Sequence, residues 1–118
     1  GVGIIRGWKN LERALDGHPY LLKARHPEGL FRLLTEGRVD AVIFARWPAL
    51  WHMRANKIKA RLHGPPLEVG GNFIYLNKKH AALVQPLADA LRKMKEDGAY
   101  RRLVDTLLRP LQTGKQDM

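Results

Sequence analysis

Short apolar runs alternate with segments of helical spacing along the first half of the chain. The run in "GVGIIRGW" ends at Gly7, and "NLERAL" behind it puts Leu11, Ala14 and Leu15 on one helical face. Asn10 stands where an N-cap belongs, with Arg13 in place of an acid three residues on, and Asp16-Gly17 stops the helix. "PYLLKAR" reads as a second strand. "PEGLFRLLTEG" gathers Leu30, Phe31, Leu33 and Leu34 on a helix with Pro27 in its first turn and Gly37 after its last. "VDAVIF" is apolar on both faces apart from Asp40, the pattern of a strand covered on both sides. The predicted order is β-α-β-α-β with connections of a few residues.

The second half is patterned differently. A helix with a basic face is expected from Pro48 to Gly64, using Leu50, Met53, Lys57, Ile58 and Leu62. "GPPLEVGGNFIYL" breaks it and predicts extended chain at Leu67 to Val69, a pivot at Gly70-Gly71, and a further strand in "NFIYL". From Lys79 to Asp97 the residues Leu83, Leu87, Ala90, Leu91 and Met94 form one stripe, with Gly98 as the C′ stop and Pro86 as a kink or a first-turn residue. Tyr100, Leu103, Val104, Leu107 and Leu108 form a second stripe closed by Arg109-Pro110, and "LQTGKQDM" reads as a frayed tail.

With 118 residues the chain has room for one modest core. Its 45% hydrophobic and 27% charged residues are the balance of a folded domain, and no apolar run approaches the roughly 20 residues a membrane span needs. Cysteine is absent, which removes disulfide and thiolate chemistry. Gly stands at position 1 with no charged-then-apolar leader, so a trimmed chain is expected. A net charge of +10 favours polyanions, anionic lipid or acidic ligands. The cations are spread along the chain without zinc spacing or an RNP-like aromatic strand, and nucleic acid is not the expected partner.

Alternating strands and helices imply a mostly parallel sheet with right-handed crossovers, in which ligands gather at the carboxyl ends of the strands. Three stretches, "VGIIRGW", "LFRLLTEGRVDAVIF" and "YLNKKHAALVQPLADALRKMKEDGAYRRLVDTLL", together resemble the second half of an extracellular solute-binding protein of family 3, the amino-acid type of ABC-transporter receptor. The resemblance implies a type II periplasmic-binding-protein-like α/β lobe over residues 1–70. It also implies a returning hinge at Gly70, Gly71 and Asn72, and a 71–118 segment that packs on a first lobe. In such a receptor a small polar solute, amino-acid-like or carboxylate, is held between lobes in the periplasm and presented to the transporter's membrane subunits. The acid that commonly follows the strand is replaced by Ala45, and the Ser or Thr usual after the first strand's Gly is Trp8, so the ammonium of a plain amino acid lacks its usual partner. Stripes left uncovered without the first lobe predict a homodimer. A ligand-sensing module of a signalling protein and a basic polyanion-binding domain are the other readings.

Trp8, Lys9 and Asn10 lie at the entrance of the first helix, where free N–H groups favour an anion; the plainer reading is a turn with a packed indole. Arg46 offers a forked contact to a carboxylate or phosphate and Trp47 a stacking face, against a solvated cation and a staple on the helix of Pro48. Asp40 falls at the opposite end of its strand and is expected to pair locally. Trp51, His52 and Met53 are consecutive and share no helical face, and His18, His26, His52, His63 and His80 lack metal spacing and are expected on the surface. No GxSxG, P-loop, Cys-His pair or paired-carboxylate constellation is present, and no enzyme activity, metal or cofactor is expected.

Overall fold

The computed structural model describes residues 1–112 and divides into two compact units, residues 1–60 and residues 61 onward. The first unit is α/β. Strand β1 (Val2–Ile5), helix α1 (Lys9–Ala14), β2 (Leu21–Ala24), α2 (Pro27–Thr35), β3 (Ala41–Val42) and α3 (Arg46–Ala55) follow in the predicted alternation. The strands form a parallel sheet in the order β2-β1-β3. Val2 lies opposite both Leu21 and Ala41, which fixes the register of the central strand on both sides.

Helix α2 lies on all three strands. Its Leu30, Phe31 and Leu33 form the core with Ile4 and Ile5 of β1, Val39, and Ala49 and Leu50 of α3. A Cβ at Gly3 would stand 3.1 Å from Leu30 Cδ1 and 3.3 Å from Val42 Cγ1, so the missing side chain of β1 is what lets α2 come close. Pro27 occupies the first turn of α2 and Gly37 (φ 74°) follows its end, as predicted.

Three expectations for this unit are corrected. Asn10 does not cap α1: the helix begins at Lys9 behind Trp8, and the Glu12 carboxylate accepts the Gly7 N–H at 2.6 Å, closing the turn from within the helix. The strand in "VDAVIF" pairs regularly only at Ala41–Val42; the Ile43 N–H still donates to Gly3 O at 3.0 Å, after which the chain turns into α3. Helix α3 begins at Arg46, ahead of Pro48, and ends at Ala55, far short of Gly64. Its end is a Schellman closure in which the Ile58 N–H donates to Met53 O and the Lys57 N–H to Arg54 O, with Lys57 left-handed at φ 52°.

In the second unit residues 62–77 form neither helix nor strand, so the strands expected at Leu67–Val69 and in "NFIYL" are absent among the described residues. Phe73, Ile74 and Tyr75 are exposed there, and an apolar segment with no neighbouring strand has no ladder to join. A 3-10 segment (Lys78–Leu83), whose Lys79 N–H donates to Asn77 Oδ1 at 3.0 Å, leads into α4 (Val84–Asp97). Pro86 falls in the first turn of α4, and Gly98 ends it at φ 87°. Helix α5 (Ala99–Gln112) runs through Arg109-Pro110, where a stop was expected; so near the helix end Pro110 removes a single ladder bond. Of the tail, Leu111 and Gln112 belong to α5 and residues 113–118 lie outside the described residues.

Helices α4 and α5 pack on each other, yet no side chain of either is buried, and Leu83, Val84, Leu87, Leu91, Leu103 and Leu107 stay open. Stability therefore concentrates in the first unit. Leu30→Ala is expected to lower unfolding stability by about 2–5 kcal/mol, because Leu30 is fully buried against β1, and urea denaturation followed by far-UV circular dichroism measures it.

Candidate functional site

The chain leaves β1 toward β2 on one side of the sheet, while β3 occupies the other side, so the segments after β1 and after β3 diverge from neighbouring strand ends. A crevice at such a divergence is where open α/β sheets take ligands. Arg6, Gly7 and Trp8 follow β1; Ile43, Phe44 and Ala45 follow β3 and lead to Arg46.

Aromatic rings join the two segments. Trp8 stacks on Phe44 with centroids 5.3 Å apart and planes 11° from parallel. Phe44 meets Phe31 edge to face at 5.8 Å, Phe31 stacks on His52 at 5.4 Å, and Trp51 stands edge to face with His52 at 5.0 Å. The row is covered in the middle and open at its ends, where Trp8 is 39% and Trp51 55% exposed. An indole open on one side and backed by a phenyl ring is a rigid stacking surface for an apolar or planar ligand.

Charge surrounds this row. The Arg46 guanidinium lies over the Trp47 ring at 5.8 Å, and it makes no ion pair among the described residues. No acid stands in the first turn of α3. On the β1 side Glu12 is held below the ordinary carboxylate value, first by the Gly7 N–H bond and then by the charges of Lys23, Lys9 and Arg6, against partial desolvation. Lys9 reaches Glu12 at 3.9 Å. Three cations around one carboxylate leave this rim positive.

Of the expected site residues, Trp8, Lys9, Arg46 and Trp47 all fall on the segments that follow β1 and β3. Asn10 sits in the first turn of α1 and caps nothing. Gly70, Gly71 and Asn72 lie in the irregular part of the second unit. Asp40, at the other end of β3, pairs with the α-ammonium of Gly1 at 2.6 Å. Sequence reasoning missed Phe44, hidden inside an apolar run, and His52, which is 9% exposed and not on the surface as expected. The i,i+3 spacing of Ala49 and His52 was the available signal for the second.

Among the described residues the His52 imidazole makes no hydrogen bond, and no fully buried polar side-chain atom lacks a partner. No group of three or more His, Cys, Asp or Glu side chains is gathered in metal-binding proximity among the described residues. No helix among them is long and apolar enough to cross a membrane.

Fold and ring row define the chain as an α/β protein with a small parallel sheet and an aromatic edge, flanked by cations, at the carboxyl ends of its strands. No family model matches it, and no solved structure matches it. A protein of Shewanella oneidensis, described as uncharacterized, is 29% identical over 102 residues, covering 85% of this chain and 38% of its own length. The chain thus spans well under half of that relative.

Because Glu12 is depressed in the folded chain, its contribution to stability is present above its unfolded value and is lost as pH falls through the folded one. Glu12→Gln is therefore expected to be less stable than the parent at pH 7, with the gap narrowing toward pH 3. Urea midpoints at the two pH values measure this, and an unchanged gap would show that Glu12 is not what holds the Gly7 turn.

Proposed function

We propose that the chain is the second lobe, with the C-terminal helices, of an extracellular solute-binding protein of the amino-acid type. In this reading residues 1–70 carry one wall of a cleft for a small polar solute, amino-acid-like or carboxylate, which the intact receptor delivers in the periplasm to an ABC transporter. The observation that carries it is the meeting of the post-β1 and post-β3 segments through the Trp8–Phe44 stack, beside an Arg46 that has no carboxylate partner among the described residues. Arg46 takes the solute's carboxylate and Trp8 covers its body. Gly70 and Gly71 supply the pivot about which closure shifts on binding.

With one wall of the cleft, affinity is expected on the order of millimolar. Titration of the chain with a panel of amino acids and mono- and dicarboxylates should give a saturable change in tryptophan fluorescence with at least one carboxylate. Arg46→Gln should remove it while leaving the circular dichroism spectrum unchanged. A panel without any response, or a response indifferent to Arg46, sinks the reading.

Helices α4 and α5 pack on each other but leave much of their apolar stripes open, and in the intact receptor these pack on the first lobe. In isolation a second copy covers them. Tyr100 and the six open aliphatic residues leave on the order of 600 Å² of apolar surface, near the ~800 Å² per partner of a stable interface. Two such hairpins close a four-helix arrangement about a twofold axis. Light scattering at high micromolar concentration should report a dimer, and Leu87→Glu with Leu103→Glu a monomer; a monomeric parent chain rules the pairing out.

A further inference from the structure

The edge of the sheet farthest from β3 carries a feature unrelated to the crevice. Strand β2 is the last in the order β2-β1-β3, and among the described residues nothing pairs with its outer side. The Val2 N–H donates to Tyr20 O at 2.9 Å and the Arg6 N–H to Ala24 O at 2.7 Å, so alternate residues of β2 turn their backbone toward β1. The two-residue period then turns the N–H and C=O groups of Leu21, Lys23 and Arg25 outward. A groove of about 560 Å³ runs along this edge, floored by residues 22–26 and walled by α2.

The groove's charge is mixed with a positive surplus. Arg25, Arg32 and Arg38 line it against Glu28 and Glu36, and none of these three cations makes a side-chain hydrogen bond or an ion pair among the described residues, while Lys23 of β2 acts on Glu12. A bare oxyanion matches such a wall poorly, because the outward carbonyls and two carboxylates face it as well. A second copy of β2 also fits poorly: edge-to-edge pairing would set Lys23 and Arg25 against themselves, and like charges across a ladder oppose pairing. An extended segment has what the edge lacks, donors and acceptors in alternation, and acidic side chains on it meet the unpaired cations.

We propose that the open edge of β2 takes an acidic, extended peptide segment of a partner protein as a fourth strand, with Arg25 and Arg38 reading its carboxylates. Backbone pairing supplies the register, and the cations supply the selection against other strands. The cations thereby serve two ends at once, keeping copies of the chain from pairing at this edge and admitting a partner of opposite charge.

The test titrates the ¹⁵N-labelled chain with the blocked peptide Glu-Val-Glu-Val-Glu, its backbone N-methylated analogue, and Lys-Val-Lys-Val-Lys. Saturable amide shifts confined to residues 20–38 are expected with the first peptide and none with the lysine peptide. N-methylation, which removes the ladder donors, should weaken binding about tenfold. Arg25→Glu with Arg38→Glu should weaken it as much, while Arg101→Glu with Arg102→Glu in the second unit, an equal change of charge, should alter it less than about twofold at moderate salt. Equal binding of the N-methylated peptide would overturn strand addition in favour of charge alone. Equal loss in both variants would overturn the groove in favour of the chain's diffuse +10, and absence of shifts would overturn the proposal outright.

Discussion

A side chain at position 3 would crowd Leu30 and Val42, and the first unit is built on that close approach of helix to strand. With only a hydrogen on the central strand, α2 settles onto the sheet and seals Leu30 and Phe31 against β1 and its flanks. Parallel pairing on both sides of β1 then follows from two crossovers through helices, and it brings the ends of β1 and β3 together. Phe31 belongs to this core and is also the ring on which Phe44 and His52 rest. The ring row at the strand ends is therefore an extension of the core.

Helix α2 could be read from the chain because every local cue agreed: Pro27 at the start, Gly37 at the stop, and apolar residues at helical spacing between them. The β-α-β-α-β order and the glycine stop at Gly98 were legible for the same reason. The end of α3 was not, since a left-handed C′ position is ordinarily announced by Gly and here is held by Lys57, at a conformational cost met by the two closing hydrogen bonds to Met53 and Arg54. Trp8, Lys9, Arg46 and Trp47 could be placed at strand ends by counting. Phe44 could not be distinguished within "VDAVIF", because which ring of an apolar run turns outward depends on where the ladder stops. Glu12 was overlooked because a count of three residues from a cap misplaced at Asn10 lands on Arg13, one position past it.

The two units meet burial in different ways. The first closes a core from eight residues. The second has two helices with strong apolar stripes but no third element among the described residues to cover them, and two helices side by side cannot bury a full face of each. The exposed "NFIYL" has no sheet to join, and a strand-like sequence outside a sheet keeps its backbone groups for solvent or for a neighbour.

Charge completes the division of labour within the first unit. At the crevice the cations stand beside stacked rings, where a desolvated face strengthens a carboxylate contact and an apolar body finds a backing. At the β2 edge they stand beside unpaired backbone in the open, where a single ion pair contributes at most about 1 kcal/mol and only the combination with ladder hydrogen bonds gives a defined register. The same residue types thus act differently according to what lies next to them. In the proposed readings Arg46 would select its ligand by virtue of Trp47 beside it, and Arg25 by virtue of the outward backbone of its own strand. An excess of positive charge spread over a chain carries little information by itself; its meaning lies in which cations the fold leaves without a partner, and beside which unsatisfied surface.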